Sequence, residues 1–195
     1  NGLGLEGAGE IMEVGDGVSD FKPGDRVMAV VSAGAYAEQA VCEATTVFHT
    51  PDGMDDITAA AFPVAYGTSH LALVHRAQLK AGETVLVLGA GGGVGLTAVE
   101  CAKALGATVI AAASTPEKLD LARARGADHL INYADEDLRP ALRKITDGNG
   151  VDVVYDPVGG EVAQTAMRSL AWSGRLLVIG FASGEIPEFP ANHIL

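Results

Sequence analysis

The sequence predicts an α/β protein built around a doubly wound parallel sheet, and two patterns support this fold class. Short apolar segments alternate with apolar-periodic helices from Thr84 onward. The first apolar segment, Thr84–Leu88, runs directly into the glycine-rich stretch Gly89–Gly95, within which a helix is predicted to begin. A strand, a glycine turn and a helix in this order, followed at once by a second strand, are typical of the first βαβ unit of a Rossmann sheet.

The alternation continues through the rest of the chain. We expect parallel strands at 84–88, 108–113, 128–131, 151–155 and 175–180, and helices at 93–105, 116–125, 135–146 and 161–170. Pro116 suits the first turn of its helix, and Gly126 suits the position just after that helix ends. Strict alternation of short apolar strands with helices is the pattern of a sheet covered by helices on both faces.

The residues before Pro51 have a different pattern, which predicts β-structure. Strands are expected at 10–14, 26–31 and 35–41, with turns at Gly15-Asp16-Gly17 and Pro23-Gly24-Asp25. After Pro51 we expect a short helix capped by Asp55 or Asp56, and then a helix from Thr68 to Arg76.

The chain begins in mid-pattern without methionine, and it has five predicted sheet strands where two complete mononucleotide halves give six. We therefore expect it to be part of a longer protein.

Composition narrows the classes of partner. The 195 residues carry a formal net charge of −12, which disfavours nucleic acid and anionic membranes, because a protein that binds backbone phosphates needs a basic face. No segment approaches the roughly 18 consecutive apolar residues of a membrane span, and none resembles a signal peptide. Cys42 and Cys101 lie far apart and lack the spacing of a zinc site or a disulfide framework. A reducing, cytoplasmic location is the expectation.

The glycine-rich stretch is predicted to bind a pyrophosphate. Side chains at these positions would block the approach of a pyrophosphate to the backbone. The helix that begins within the stretch also presents unpaired N–H groups and the positive end of its dipole. The sequence therefore indicates a dinucleotide cofactor.

The residues after the second strand of the sheet favour NADP(H) over NAD(H). NAD-binding sheets end this strand with an acidic residue that bonds the ribose 2′-hydroxyl. Here the strand is followed by Ser114 and Thr115, with no carboxylate before Glu117. Ser114 leaves room for a 2′-phosphate, and Lys118 lies one helical turn further on, where its charge can meet that phosphate. The alternative is an ordinary solvated lysine beside a serine N-cap.

Several ordered motifs accompany the glycine stretch. They are Gly4-Leu5-Glu6-Gly7-Ala8-Gly9, Phe21-Lys22-Pro23-Gly24-Asp25-Arg26-Val27, Gly34-Ala35-Tyr36-Ala37-Glu38, Asp156-Pro157-Val158-Gly159-Gly160, Gly174-Arg175 and Gly180-Phe181. Through these motifs the whole chain resembles the quinone oxidoreductase (zeta-crystallin-like) branch of the zinc-independent medium-chain dehydrogenase/reductase superfamily.

The resemblance implies a domain organisation. It gives part of a GroES-like substrate domain at 1–55, connecting helices at 56–80, and a Rossmann dinucleotide-binding domain at 81–195 that is incomplete at its C-terminus. It further implies that cofactor and substrate lie in a cleft between the two domains. Use of NADPH and assembly into a homodimer or homotetramer are also implied.

The resemblance assigns cofactor-binding roles to eight residues, grouped by the part of the cofactor that each would meet. These are Gly92, Gly93 and Val94 for the pyrophosphate, Ser114, Lys118 and Tyr133 for the 2′-phosphate, and Thr68 and Phe181 for the nicotinamide. Three of them have plainer alternatives: Tyr133 as a strand-end aromatic, Thr68 as a helix N-cap and Phe181 as a core aromatic. No catalytic acid is assigned, since Tyr66 is equally well explained as a structural tyrosine.

One departure from zinc-dependent relatives bears on the chemistry. Those relatives carry Gly-His-Glu, with the histidine as a metal ligand, where this chain has Gly4-Leu5-Glu6. Leucine cannot bind zinc, and the histidines of the chain show no metal-ligand spacing, so no metal is expected.

The expected reaction follows from that departure. Without a Lewis acid, hydride addition to a quinone or to the activated C=C bond of an enone or alkenal is easier than reduction of a plain ketone. The reason is that conjugation in the acceptor spreads the charge. The resemblance therefore implies an NADPH-dependent, zinc-independent oxidoreductase with a small-molecule acceptor. The alternative is a non-catalytic NADPH-binding protein with a redox-sensing or structural role.

Overall fold

A computed structural model of the chain describes residues 3–193, with the side chain of the last of these excepted. The described residues up to Gly67 form one compact unit, and those from Thr68 form a second. Within residues 3–193, no helix is both long enough and apolar enough to cross a bilayer.

The first unit contains a three-stranded antiparallel sheet. Its strands lie in the order β1 (Glu6–Glu10), β2 (Arg26–Val30) and β3 (Val47–His49), and a 3-10 turn at Ala44–Thr46 precedes the third. The chain continues through α1 (Asp56–Ala60) and α2 (Phe62–His70), and the boundary between the two units falls within the latter. Asp55 caps α1, because its carboxylate accepts a hydrogen bond of 2.9 Å from the backbone N–H of Thr58, which confirms one of the two expected caps.

Two of the strands expected in this unit were wrong. The strand expected at 10–14 is displaced to Glu6–Glu10, where Gly7 and Gly9 give little β-propensity and pairing with β2 decides the structure instead. Residues 35–41 form no strand; Ala35 and Tyr36 donate only two backbone hydrogen bonds to the segment before β1.

The helix expected at Thr68–Arg76 was also wrong at its start. α2 begins at Phe62, and Pro63 occupies its first turn, where a missing N–H costs nothing. The segment Leu71–Arg76 then continues as a π-helix. Thr68 is therefore an interior residue of α2 rather than its N-cap.

The second unit is the predicted parallel sheet. Its elements are β4 (Thr84–Leu88), α3 (Gly93–Ala104), β5 (Thr108–Ala113), α4 (Pro116–Ala124), β6 (His129–Asn132), α5 (Leu138–Ile145), β7 (Val151–Asp156), α6 (Gly160–Met167) and β8 (Leu170–Val178), and a 3-10 turn follows at Ala191–His193. The strand order is β6-β5-β4-β7-β8, and every neighbouring pair is parallel. This confirms the doubly wound α/β fold class.

The last strand begins earlier than predicted because of a bulge. Val151 of β7 pairs with Leu170, whereas Val153 pairs with Arg175, so two steps along β7 correspond to five along β8. Trp172 lies in this bulge and is 91% exposed. A short apolar run could not predict a strand that starts on the far side of such an irregularity.

The apolar strands are buried on both faces, as their composition requires. Val85 and Val87 of β4 point into one core, and Leu86 and Leu88 point into the other. All four are fully buried. The sheet therefore has a hydrophobic layer on each side, and loops at the carboxyl ends of its strands are free to build a site.

A buried group of hydroxyls ties three elements of the second unit together. The Ser69 hydroxyl lies 2.8 Å from the Thr97 hydroxyl of α3 and 3.0 Å from the Tyr155 hydroxyl of β7. Ser69 and Thr97 also donate to the backbone carbonyl of Val94, over 3.2 Å and 3.1 Å. Ser69 and Tyr155 are fully buried, so their polar atoms depend on one another for hydrogen bonds.

An ion pair joins the start of β4 to β8 across the intervening β7. The two guanidinium NH2 groups of Arg175 contact the two carboxylate oxygens of Glu83 at 2.8 Å and 2.7 Å. The Nε of Arg175 also donates to the carbonyl of Ala77 over 3.1 Å. The hydrogen bond from Arg175 lowers the pKa of Glu83. The pair, called here the Glu83–Arg175 clamp, therefore stabilises the fold only while Glu83 is ionised.

Glu83→Gln should reduce the pH dependence of stability. A depressed carboxyl pKa stabilises the fold fully above the ordinary glutamate pKa of about 4.3, and this stabilisation is lost as the pH falls through the lower folded-state value. At neutral pH we expect the variant to be less stable by about 1 kcal/mol, because the pair is partly exposed. Urea unfolding at a series of pH values checks this. A stability difference from wild type that does not shrink on acidification would contradict it.

Ser69→Ala should destabilise the second unit, because it leaves the buried Tyr155 hydroxyl without its partner. We expect a loss of about 1–3 kcal/mol in the free energy of unfolding. Ser183→Ala is the matched control, since Ser183 is exposed, and its effect should stay within about 0.5 kcal/mol. A loss of no more than about 0.5 kcal/mol in Ser69→Ala would contradict the prediction.

Candidate functional site

The turn between β4 and α3 is a tightly packed glycine structure. Gly89 adopts a left-handed conformation with φ of 56°, and its carbonyl accepts a hydrogen bond of 3.0 Å from the N–H of Gly92. A Cβ placed on Gly95 would overlap that same carbonyl oxygen and lie 2.9 Å from the Cα of Ala90. Only glycine fits at position 95, so the first turn of α3 packs directly against the end of β4.

The outer side of this turn is open. A Cβ placed on Gly93 would meet no atom within 4 Å, and both Gly92 and Gly93 are exposed. Gly92 is the N-cap of the 12-residue helix α3, and no side chain caps that terminus. The first N–H groups of the helix have no partner within it, and such a terminus is suited to an anion.

The backbone carbonyl of Val94, in the first turn of α3, is fixed by hydrogen bonds. It accepts the hydroxyls of Ser69 and Thr97 described above. Thr68 directly precedes Ser69 in α2. Its assignment to the nicotinamide stays a prediction.

The three residues predicted for a 2′-phosphate lie at the carboxyl ends of neighbouring strands. Ser114 directly follows β5, and Tyr133 directly follows β6. Ala113 pairs with Asn132 in the sheet, and the Tyr133 N–H donates to the Ala113 carbonyl over 3.1 Å, so Ser114 and Tyr133 lie on neighbouring strand ends. Burial raises the pKa of Tyr133, and the Ser114 side chain opposes the rise. The N-cap of α4 is Thr115 rather than Ser114, since the Thr115 hydroxyl accepts from the N–H of Lys118 over 3.4 Å. Ser114 is therefore not occupied in capping the helix.

Lys118 lies directly over the glycine turn. A Cβ on Gly91 would overlap the Cβ of Lys118 and lie 2.7 Å from its Cγ, so Gly91 makes room for the stem of the lysine. Among the described residues, no carboxylate forms a salt bridge with Lys118, which is exposed. The structure therefore brings an unpaired cation, two hydroxyls and the open helix terminus into one region.

Phe181 belongs to a second loop at the carboxyl end of the parallel strands, the same end as the glycine turn. It follows β8 and is 42% exposed, so the alternative of a core aromatic was wrong. A Cβ placed on Gly159 would lie 3.1 Å from the Cδ1 of Phe181, which shows that the ring packs on the loop after β7. The described contacts do not bring Phe181 to Lys118 or Ser114.

Asp156 organises that loop, and the sequence did not indicate this role. The side chain is fully buried at the end of β7, and its Oδ1 accepts the N–H groups of Val158 and Gly159, each over 2.9 Å. Burial raises the pKa of Asp156, and these two N–H groups oppose the rise. The loop contacts the glycine turn, since a Cβ on Gly89 would lie 2.9 Å from the Cγ2 of Val158.

Asp156 therefore fixes one wall of the crevice between β4 and β7. From β4 the chain adds β5 and β6 on one side of the sheet, and it then returns to add β7 and β8 on the other side. The space between β4 and β7 is therefore the switch point at which open α/β sheets bind ligands. The sequence could have suggested the loop only through its Asp-Pro-Val-Gly-Gly motif. The Ser69–Thr97–Tyr155 group had no recognisable pattern, because its members are far apart in the chain.

No group of three or more potential metal ligands occurs among the His, Cys, Asp and Glu residues that the structure describes. In the first unit, Leu5 is 57% exposed, and its backbone carbonyl pairs with the N–H of Val31.

Two protein-family models match the chain. The alcohol dehydrogenase GroES-like domain matches residues 2–52. The zinc-binding dehydrogenase family matches residues 93–195, which is more than half of the chain.

Curated relatives and solved structures agree with these matches. Quinone oxidoreductase-like protein 2 of Mus musculus is 44% identical over 193 residues, which cover 98% of this chain and 55% of the relative. A 2-haloacrylate reductase of Burkholderia sp is 38% identical over 185 residues, which cover 93% of this chain and 56% of the relative. The crystal structure of Escherichia coli quinone oxidoreductase complexed with NADPH aligns with a TM-score of 0.88 and 36% identity, over 97% of this chain and 59% of that one.

The chain spans about half the length of the curated relatives that it matches, 55% in the first case above. Within that span the family models, the sequence identity, the parallel sheet and the glycine turn point to one family, and they confirm the expectation from the motifs. The chain belongs to the quinone oxidoreductase branch of the medium-chain dehydrogenase/reductase superfamily.

Proposed function

We propose that the protein containing this chain is an NADP(H)-dependent, zinc-independent oxidoreductase that transfers hydride to a quinone or to an activated C=C bond. The observation that carries the proposal is the grouping of Ser114, Lys118 and Tyr133 beside the open terminus of α3. A dinucleotide needs the terminus, and a 2′-phosphate needs the cation and hydroxyls.

Each part of the site has a distinct task in cofactor binding. The N–H groups that follow Gly92 bind the pyrophosphate, while Lys118 neutralises the 2′-phosphate and the hydroxyls of Ser114 and Tyr133 bond its oxygens. Thr68 of α2 and Phe181 of the loop after β8 orient the nicotinamide. The solved relative from Escherichia coli, which is complexed with NADPH, supports NADPH as the cofactor.

The chemistry proposed for the site is hydride transfer followed by protonation. When bound, NADPH supplies the hydride, and the reduced acceptor takes its proton from water or a nearby donor. The residues of this chain contribute by holding the cofactor in one orientation, which converts an encounter in solution into a positioned reaction.

The acceptor class is proposed from the chemistry and from the names of the relatives. Leu5 stands where zinc-dependent relatives have a histidine ligand, and leucine carries no ligating atom. A conjugated acceptor spreads the negative charge that hydride addition creates, so it asks for less stabilisation from the protein. The names of two relatives, Escherichia coli quinone oxidoreductase and the 2-haloacrylate reductase of Burkholderia sp, describe chemistry of this kind. We further propose a cytoplasmic homodimer or homotetramer, as the family resemblance implies.

Lys118→Gln should weaken NADPH binding selectively. Loss of a charged hydrogen bond to the 2′-phosphate corresponds to about a tenfold higher Kd for NADPH, with no change for NADH. Calorimetric titration of both nucleotides measures this. Lys144→Gln is the control, because Lys144 is exposed on α5 and its substitution removes the same charge away from the candidate site. An equal loss of affinity for NADPH and NADH would contradict the assignment of Lys118.

The full-length protein should oxidise NADPH in the presence of quinones and enones, and it should not reduce saturated ketones. This activity should persist after treatment with a metal chelator. Loss of NADPH absorbance across such a panel of acceptors measures this. Tight NADPH binding without turnover on any acceptor would instead favour the non-catalytic sensing or structural protein. Turnover that disappears with the chelator would contradict the zinc-independent reaction.

A further inference from the structure

The second unit has a cavity at the amino ends of its parallel strands, which is the end of the sheet opposite to the glycine turn. The glycine turn follows the carboxyl end of β4, whereas this cavity lies where β7 and β8 begin. It is an open depression of about 520 Å³, and the arginines that line it are exposed. It is formed by α5, by the loop between α5 and β7, and by the residues at the start of β8.

Three arginines line this cavity, which is called here the arginine cavity. They are Arg139, Arg143 and Arg168, and the other lining residues are polar, glycine, proline or leucine. No Asp or Glu belongs to the lining, although the chain has 25 acidic residues against 13 basic ones. Within the described part of the chain, none of the three guanidinium groups forms a salt bridge.

Helix-dipole stabilisation explains only two of these arginines. Arg143 is in the last turn of α5 and Arg168 is the C-cap of α6, where a cation is favourable. Arg139 is in the first turn of α5, where the helix dipole disfavours a positive charge. The helix dipole therefore does not account for Arg139, which is exposed and lies two residues after Asp137, the N-cap of α5.

The floor of the arginine cavity is a tightly built loop. Gly150 has φ of 81°, and a Cβ on it would lie 2.8 Å from both the Ala171 N–H nitrogen and the Ser169 carbonyl oxygen. The Thr146 hydroxyl donates to the Leu142 carbonyl over 2.9 Å and accepts from the Gly150 N–H over 3.1 Å. Fixed backbone therefore holds the two arginine-bearing helices at a set separation, and binding need not order the loop.

We propose that the arginine cavity binds a small polyanion that carries two or more phosphoryl or carboxylate groups. Guanidinium groups bind both kinds of oxyanion through paired N–H donors, and three of them around one cavity can neutralise several charges. No aromatic side chain belongs to the lining, so there is no platform for stacking a nucleobase. The ligand is therefore a compact anion rather than a second dinucleotide.

Calorimetric titration of the full-length protein with inorganic pyrophosphate and with citrate tests this proposal. Saturating NADPH is present, so that the probe does not report the glycine turn. We expect at least one probe to bind, and Arg143→Gln to raise its Kd at least about tenfold. Preference for pyrophosphate indicates a phosphorylated ligand, and preference for citrate a polycarboxylate.

Lys144→Gln is the matched control, because it removes one positive charge from the same helix outside the cavity. Its effect on the Kd of the probe should be less than about twofold. Unchanged NADPH affinity in Arg143→Gln shows that the variant is folded; if that affinity is lost, Arg139→Gln replaces it. Absence of binding by both probes, or equal weakening by Arg143→Gln and Lys144→Gln, would overturn the proposal.

Discussion

The contact between Gly95 and the carbonyl of Gly89 is the constraint on which the candidate site depends. Because no side chain can stand at position 95, the backbone of α3 begins directly against the end of β4. This contact leaves the outer N–H groups of the helix open at Gly92 and Gly93. It also places Gly91 under the stem of Lys118, so the cation and the helix terminus face the same space.

A second layer of contacts keeps this turn in place. The Val94 carbonyl is fixed by hydroxyls from α2 and α3, and the Tyr155 hydroxyl joins them from β7. One residue further along β7, Asp156 holds the loop that packs on Gly89. The two strands that border the switch point therefore carry their own supports, and the cofactor site does not rely on flexible loops alone.

The sequence predicted those parts of the molecule that depend on short-range patterns. The parallel strands, their helices and the glycine turn are encoded locally, and their boundaries agree with the structure to within a few residues apart from β8. The start of β1 depends on pairing with β2, which propensity does not contain. The bond between Ser69 and Tyr155 joins residues 86 positions apart, so no spacing rule could indicate it. The cofactor-binding roles of all eight residues assigned from the resemblance remain predictions.

The Glu83–Arg175 clamp has a consequence for how the sheet opens. β7 lies between β4 and β8 in the sheet, so backbone hydrogen bonds do not join these two strands directly. Arg175 of β8 instead bonds the carboxylate of Glu83, the residue before β4. Separation of β8 from the sheet therefore requires this ion pair to break as well. The clamp couples the opening of β8 to that of β4, which borders the switch point.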